Sequence, residues 1–309
     1  MQNAVKKSPL QRSIHGILRD KWLYLMVVPG LTLLIIFRYI PIFGLRIAFM
    51  DYNVFKPSAS TWVGFGQFVK LFKRPAFQKV LFNTLNISVL KLLFGFPVPI
   101  ILALLLNEMR SLRIKKIVQT VLYLPHFVSW VIMAGLIMDF LDPATGAITQ
   151  LIRSLTGQDI RVLSDPRYFV HMLVISDIYK TAGWGTIIYF AAISGIDPQL
   201  YEAAAMDGAK RFRQIWHITL PSIIPTIIVV FTLNLGNILN AGFEQIFMLY
   251  SALVYDVADI IDTYVYRIGI EKSDYSFSTA AGMFKSVVAF MLIVSFNYFA
   301  RKSGSKALW

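Results

Sequence analysis

The 309-residue chain contains no cysteine. That absence excludes disulfides, thiolate metal sites and thiol nucleophiles. Charge is also sparse: Asp, Glu, Lys and Arg make up 15% of the chain, where soluble globular proteins carry about a quarter. Acids are the scarcer sign, 17 against 30 Lys and Arg, which leaves a net charge of +13. No G-x-x-x-x-G-K-[ST] string occurs, so no P-loop cradles a nucleotide, and the nearest stretch, which begins at Gly282, lacks the second glycine. H-E-x-x-H and G-x-S-x-G are absent as well. The four histidines, His15, His126, His171 and His217, are too scattered to suggest a metal site and read as structural. The chain therefore carries no recognisable catalytic constellation, and a membrane enzyme is the weakest reading. If it does uphill work, the energy comes from another subunit or an ion gradient.

What is present is apolar. Hydrophobic residues make up 56% of the chain, and its mean hydropathy is +0.61. Several apolar windows exceed the ~18 to 20 residues that cross a bilayer, so the expectation is an all-α, polytopic membrane protein. Six transmembrane helices are read, at 23–43, 81–106, 115–140, 169–196, 222–241 and 280–299. Pro29, Pro97, Pro99, Pro125, Gly183, Gly185 and Pro225 fall inside them, which membrane helices tolerate where neighbours satisfy the freed backbone groups. The basic amino terminus leads into an apolar run with no small-x-small site after it, so it reads as an anchor that stays rather than a cleaved signal.

The positive charge gives the orientation. With the amino terminus inside, the inner segments carry fifteen Lys and Arg in about 65 residues, and the outer loops eleven in about 100. Both termini are expected on the cytoplasmic side of a bacterial cytoplasmic membrane. The excess of basic residues flanks membrane lipid, and no nucleic-acid partner is inferred. The parts are a cytoplasmic segment 1–22, a first helix with its outer loop over 23–80, a transmembrane domain over 81–299 and a tail 300–309. In the outer loop 242–279, the apolar residues of YSALVYDVADIIDTYVYRIG suggest a short amphipathic surface helix.

The segment 197–221 interrupts this apolar pattern with charge. Asp197 is placed to cap a helix, and Pro198 suits its first turn. Gly208 permits a turn, a second helix is expected from Lys210 towards Ile218, and Pro221 is expected to stop it. Phe212, Ile215 and Trp216 share one face of that second helix. The loop is thus a compact helix–turn–helix element, and Ala203 to Ala205 leave room for close approach. Physical reasoning alone allows an interfacial helix that merely caps the bundle.

These residues also carry a resemblance. Glu202, Ala203, Ala204, Asp207, Gly208, Ile218, Leu220 and Pro221 resemble, at the same spacing, the E-A-A-x-x-x-G-x9-I-x-L-P motif (the EAA motif) of ABC importer permeases. The resemblance extends over roughly residues 80–300. The opening stretch YLMVVPGLTLLIIFRYIPIFGLRIAFMDYN is similar to carbohydrate permeases that import aldouronate, pectin-derived or alginate oligosaccharides. The resemblance implies the type I ABC importer permease architecture, in which this loop is the coupling helix that docks on a cytosolic ATPase subunit. It implies a second homologous permease subunit, two ATPase subunits that bind ATP and Mg, and an extracytoplasmic solute-binding protein. No cofactor is expected on this chain. An ABC permease for another solute, such as amino acids, shares the motif. A secondary transporter is the alternative of a different class, but no inverted repeat is visible.

Two lysines stand out as candidates for the solute path. Lys180 and Lys91 both fall deep within their spans, where a charge faces a cavity or a partner. Asp177, three residues before Lys180 on the same helical face, is an alternative partner for it. Lys91 has no acid within four residues. Together with the aromatic faces of Tyr179, Trp184 and Tyr189, these lysines would favour an acidic oligosaccharide.

Overall fold

A computed structural model describes residues 20–302, so the expected placement of the two terminal segments lies outside the described residues, as does His15. The chain is helical almost throughout. Helix α1 (Lys21–Leu34) continues through a π turn, Ile35–Tyr39, into a 3-10 stretch, Ile40–Phe49. One departure from an all-α chain follows. Strands β1 (Met50–Asp51) and β2 (Thr61–Trp62) pair antiparallel, with Met50 opposite Trp62.

The bundle follows. Helix α2 (Gly66–Lys73) leads into α3 (Pro75–Gly95) and α4 (Pro97–Glu108), which together form one apolar length of 34 residues. Next come α5 (Leu112–Phe127), α6 (Trp130–Phe140), α7 (Ala147–Thr156) and α8 (Pro166–Ser194). After the loop helices α9 (Pro198–Met206) and α10 (Arg211–Gln214) runs α11 (Leu220–Gly236). Short helices α12 (Phe243–Leu249), α13 (Tyr255–Ala258) and α14 (Ile261–Tyr266) precede the last long helix, α15 (Tyr275–Lys302).

Among the described residues four helical lengths are long and apolar enough to cross a membrane, and a fifth is formed if the bent pair α5–α6 is one span. The sixth expected span, α8, has 29 residues but is less apolar. It is the interior helix, packed against α3, α4, α5 and α11. Lys180 and Thr186, near its middle, are buried against these neighbours. Gly183 makes this close packing possible, because a Cβ there would lie 1.8 Å from the Leu122 carbonyl oxygen. Small residues let backbones approach in just this way inside membranes.

Three expectations are corrected. The span 115–140 is not straight: it breaks after Phe127 and bends by 100°. Pro125 cannot donate to the preceding turn, and Ser129 starts the next helix by accepting from the Ile132 N–H at 3.3 Å. Pro221 does not stop the loop helix either. A π turn at Ile215–Thr219 carries the chain straight from α10 into α11, with the Leu220 N–H bonded to the Ile215 carbonyl. That widened turn accommodates a residue with no N–H to give. Finally, the apolar residues of 250–269 do not form a surface helix. Val254, Ala258, Ile260 and Ile261 are fully buried, and two separate cores receive them: one with Phe169 and Leu173, the other with Phe77 and Phe277.

Candidate functional site

The charged loop folds from local signals. Asp197 caps α9, its carboxylate accepting from the Gln199 N–H at 3.0 Å. Gly208, at φ +77°, ends the helix in the left-handed region. The Gly208 N–H donates to Ala205 at 3.0 Å and the Ala209 N–H to Ala204 at 2.8 Å, which is the Schellman pattern of a helix C-terminus. Two contacts then fix the element to the bundle. Tyr201 and Thr219 share a hydroxyl hydrogen bond of 2.9 Å, and Arg211 pairs with Glu108 at the end of α4 at 2.9 Å. Glu202, Ala203, Asp207 and Gly208 are exposed on this element, while Ala204, Ile218 and Leu220 are half-buried. Met206 and Phe212 are 88% and 78% exposed, which is high for such large apolar side chains. Pro221 opens α11.

A second site lies inside the bundle. A cavity of about 300 Å³ is lined from α3 by Ser88 and Lys91, from α8 by Asp177 and Tyr189, and from the end of α11 and beyond by Asn234, Asn237 and Asn240. The Lys91 ammonium donates to Asp177 at 3.1 Å, to the Ala241 carbonyl at 2.8 Å and to the Gln245 side-chain oxygen at 2.5 Å. Gln245 is fully buried and is itself held by the Leu173 carbonyl at 2.8 Å and Ser176 at 2.9 Å. One lysine thus joins α3, α8 and the start of α12. Tyr189 lines the same cavity, 2% exposed, with no hydrogen-bond partner for its hydroxyl among the described residues.

Three of the expected solute-path residues lie elsewhere. Lys180 does not line the cavity and does not pair with Asp177. Its ammonium donates to the carbonyls of His126, at 2.9 Å, and Val128. A helix end carries unpaired carbonyls and partial negative charge, so Lys180 closes the C-terminus of α5 at the bend. Trp184 stacks on His126, with ring centres 4.5 Å apart and planes 4° from parallel. Tyr179 is 64% exposed and lines an apolar groove of about 700 Å³ between α5, α6, α7 and α8. The alternative pairing of Asp177 with Lys180 does not form, since Asp177 pairs with Lys91, and sequence spacing does not point to Gln245. The Asn234, Asn237, Asn240 spacing is itself a visible signal, because amides repeat every three residues at the end of an apolar span.

The family of binding-protein-dependent transport system inner membrane components matches residues 95–304. The chain belongs to that family. It is 50% identical over 292 residues to Protein LplB of Bacillus subtilis (strain 168), covering 94% of this chain and 92% of that protein. It is 45% identical over 305 residues to the polygalacturonan/rhamnogalacturonan transport system permease protein YteP of the same organism, covering 98% and 95%. It also superposes, with a TM-score of 0.87 and 44% identity, on a chain in the crystal structure of a bacterial ABC transporter involved in the import of the acidic polysaccharide alginate, covering 94% of this chain and 99% of that one. The permease fold follows from this likeness, and with it the reading as a transport component of the inner membrane. A gradient-driven secondary transporter does not fit a family that depends on binding proteins.

Proposed function

We propose that this permease carries acidic oligosaccharides into the cell as one half of the membrane core of an ATP-driven importer. The observation that carries the solute class is the near full-length likeness to the permease chain of an alginate importer, at 44% identity. YteP, named for polygalacturonan and rhamnogalacturonan transport, points to the same chemistry. A related chain has been solved together with an alginate pentasaccharide-bound periplasmic protein, which supports an extracytoplasmic binding protein as partner here. A second permease subunit completes the core. ATP and Mg belong to two cytosolic ATPase subunits.

In this reading α9 and the turn at Gly208 are the coupling element. Two features support it: the exposed Met206 and Phe212, and the two pins, Tyr201–Thr219 and Arg211–Glu108. Because the π turn makes α10 and α11 one continuous rod, a push on the loop is transmitted into the bundle without a slack joint. Both termini and this element lie on the cytoplasmic side. Within the cavity, Lys91, Tyr189 and the asparagines meet the solute.

The test is import by the reconstituted assembly, with ATPase subunits and binding protein, of a uronate trisaccharide against its carboxyl-reduced neutral counterpart. Uptake of the uronate with coupled ATP hydrolysis is expected. Uptake of an amino acid in its place, or of the neutral sugar alone, would overturn the solute class.

A further inference from the structure

Lys91 lines the cavity but has no hydrogen free. A lysine ammonium has three N–H donors, and here they meet Asp177, the Ala241 carbonyl and Gln245. A solute carboxylate can therefore reach Lys91 only by replacing one of these three acceptors. Two of them are fixed. Ala241 is 1% exposed, and Gln245, fully buried, is tied to Leu173 and Ser176. Neither of these two lines the cavity. Asp177 does, and its side chain is 26% exposed. It is the acceptor that can rotate away.

We propose that Asp177 is a built-in counterion that a solute carboxylate displaces from Lys91, and that its competition keeps acidic sugars from being trapped on the way through. The proposal rests on the solute class argued above. Exchange of one carboxylate for another keeps the ammonium paired and its three hydrogen bonds made, and the cost falls on the displaced Asp177, whose side chain is 26% exposed and can turn to water. A solute hydroxyl preserves the hydrogen bonds but not the charge, and a buried ammonium left without its carboxylate is costly. Neutral sugars are thus left to the asparagine amides, while acidic ones also take part in the exchange. Lys91 itself does not move, because its two other acceptors hold it at the start of α12. A Cβ on Gly242, at φ +98°, would lie 2.8 Å from the Lys91 nitrogen, so only glycine lets the backbone approach the ammonium here.

The experiment uses the full reconstituted assembly and the uronate trisaccharide. Asp177→Asn removes the competing charge and keeps the shape. The KM for the uronate is expected to fall at least about fivefold, because the ~1 kcal/mol that two unit charges share at about 4 Å in water is the lower limit for a partly buried pair. The kcat falls with it, because release slows. Asp177→Glu restores both towards the parent. The double variant Lys91→Met with Asp177→Asn removes the pair together and is expected to lose the low KM of the single variant. If Asp177→Asn lowers kcat with KM unchanged or raised, Asp177 is only structural and the proposal fails. If the parent assembly does not import the uronate at all, the solute class and this proposal fall together.

Discussion

Lys180 stands 2.9 Å from the carbonyl oxygen of His126, so a cation from the middle of α8 closes the broken end of α5. Its Nζ also lies 5.5 Å from the centre of the Trp130 ring, at the first residue of α6. One side chain therefore touches both arms of the 100° bend.

Lys180→Met is expected to destabilise the protein by ~2 kcal/mol, the usual loss when a charged group leaves buried hydrogen-bond partners. The measurement is the thermal midpoint of the purified protein in detergent. The ratio of uronate to neutral-sugar import should not change, because Lys180 does not face the cavity. A change in that ratio with an unaltered midpoint would return Lys180 to the solute path.

Gly183 and Gly135 make a controlled contrast. A Cβ at Gly183 would lie 1.8 Å from the Leu122 backbone oxygen, whereas nothing stands within 4 Å of one at Gly135. Gly183→Ala must push α8 and α5 apart, an overpacking that typically costs about 1–3 kcal/mol. Gly135→Ala, within α6, should be neutral or gain up to ~1 kcal/mol of helix propensity. Folded yield and thermal midpoint of both variants check this. Equal effects would show that the α5–α8 contact is looser than the structure has it.

The absence of cysteine makes the orientation directly testable by single-cysteine labelling. Ser58 is exposed in the loop that the charge asymmetry assigns to the outside, and Met206 is 88% exposed on the loop element. Ser58→Cys should react with an impermeant thiol reagent on intact cells or spheroplasts, and Met206→Cys only after the membrane is opened. The reverse pattern would invert the topology.

Local signals were legible in the sequence, and long-range ones were not. Asp197 and Gly208 act within a few residues of themselves, so the cap and the turn of the charged loop are written in the chain. The apolar windows gave the helices for the same reason. Pro125 and Ser129 mark the bend after Phe127 locally, but the cation that closes the broken helix end, Lys180, lies 54 positions from His126, and hydropathy runs smoothly across the bend. Lys91 pairs with an acid 86 positions away, and no spacing rule ties those two residues together. Residues 250–269 look amphipathic, but burial on two sides needs neighbours from α3, α8 and α15 that no short window contains. Pro221 misled because its usual effect was relieved by the π turn just before it.

The proposed coupling element offers the sharpest remaining test. Gly208 is in the left-handed region at φ +77°, yet nothing lies within 4 Å of a Cβ built there. A substitution there acts through the backbone alone, not through a clash within this chain. Gly208→Leu should cost roughly 1–2 kcal/mol locally, since side chains other than Asn and Asp enter this region poorly. Gly208→Asn should cost less. If the turn's conformation is what transmits ATPase movement, import should fall strongly in the leucine variant and mildly in the asparagine variant, with both still in the membrane. Glu202→Lys changes an exposed residue and leaves the turn intact, so its expected effect is weaker co-purification of the ATPase rather than misfolding. Normal import by both Gly208→Leu and Glu202→Lys would mean that this element merely caps the bundle and does not couple it to ATP.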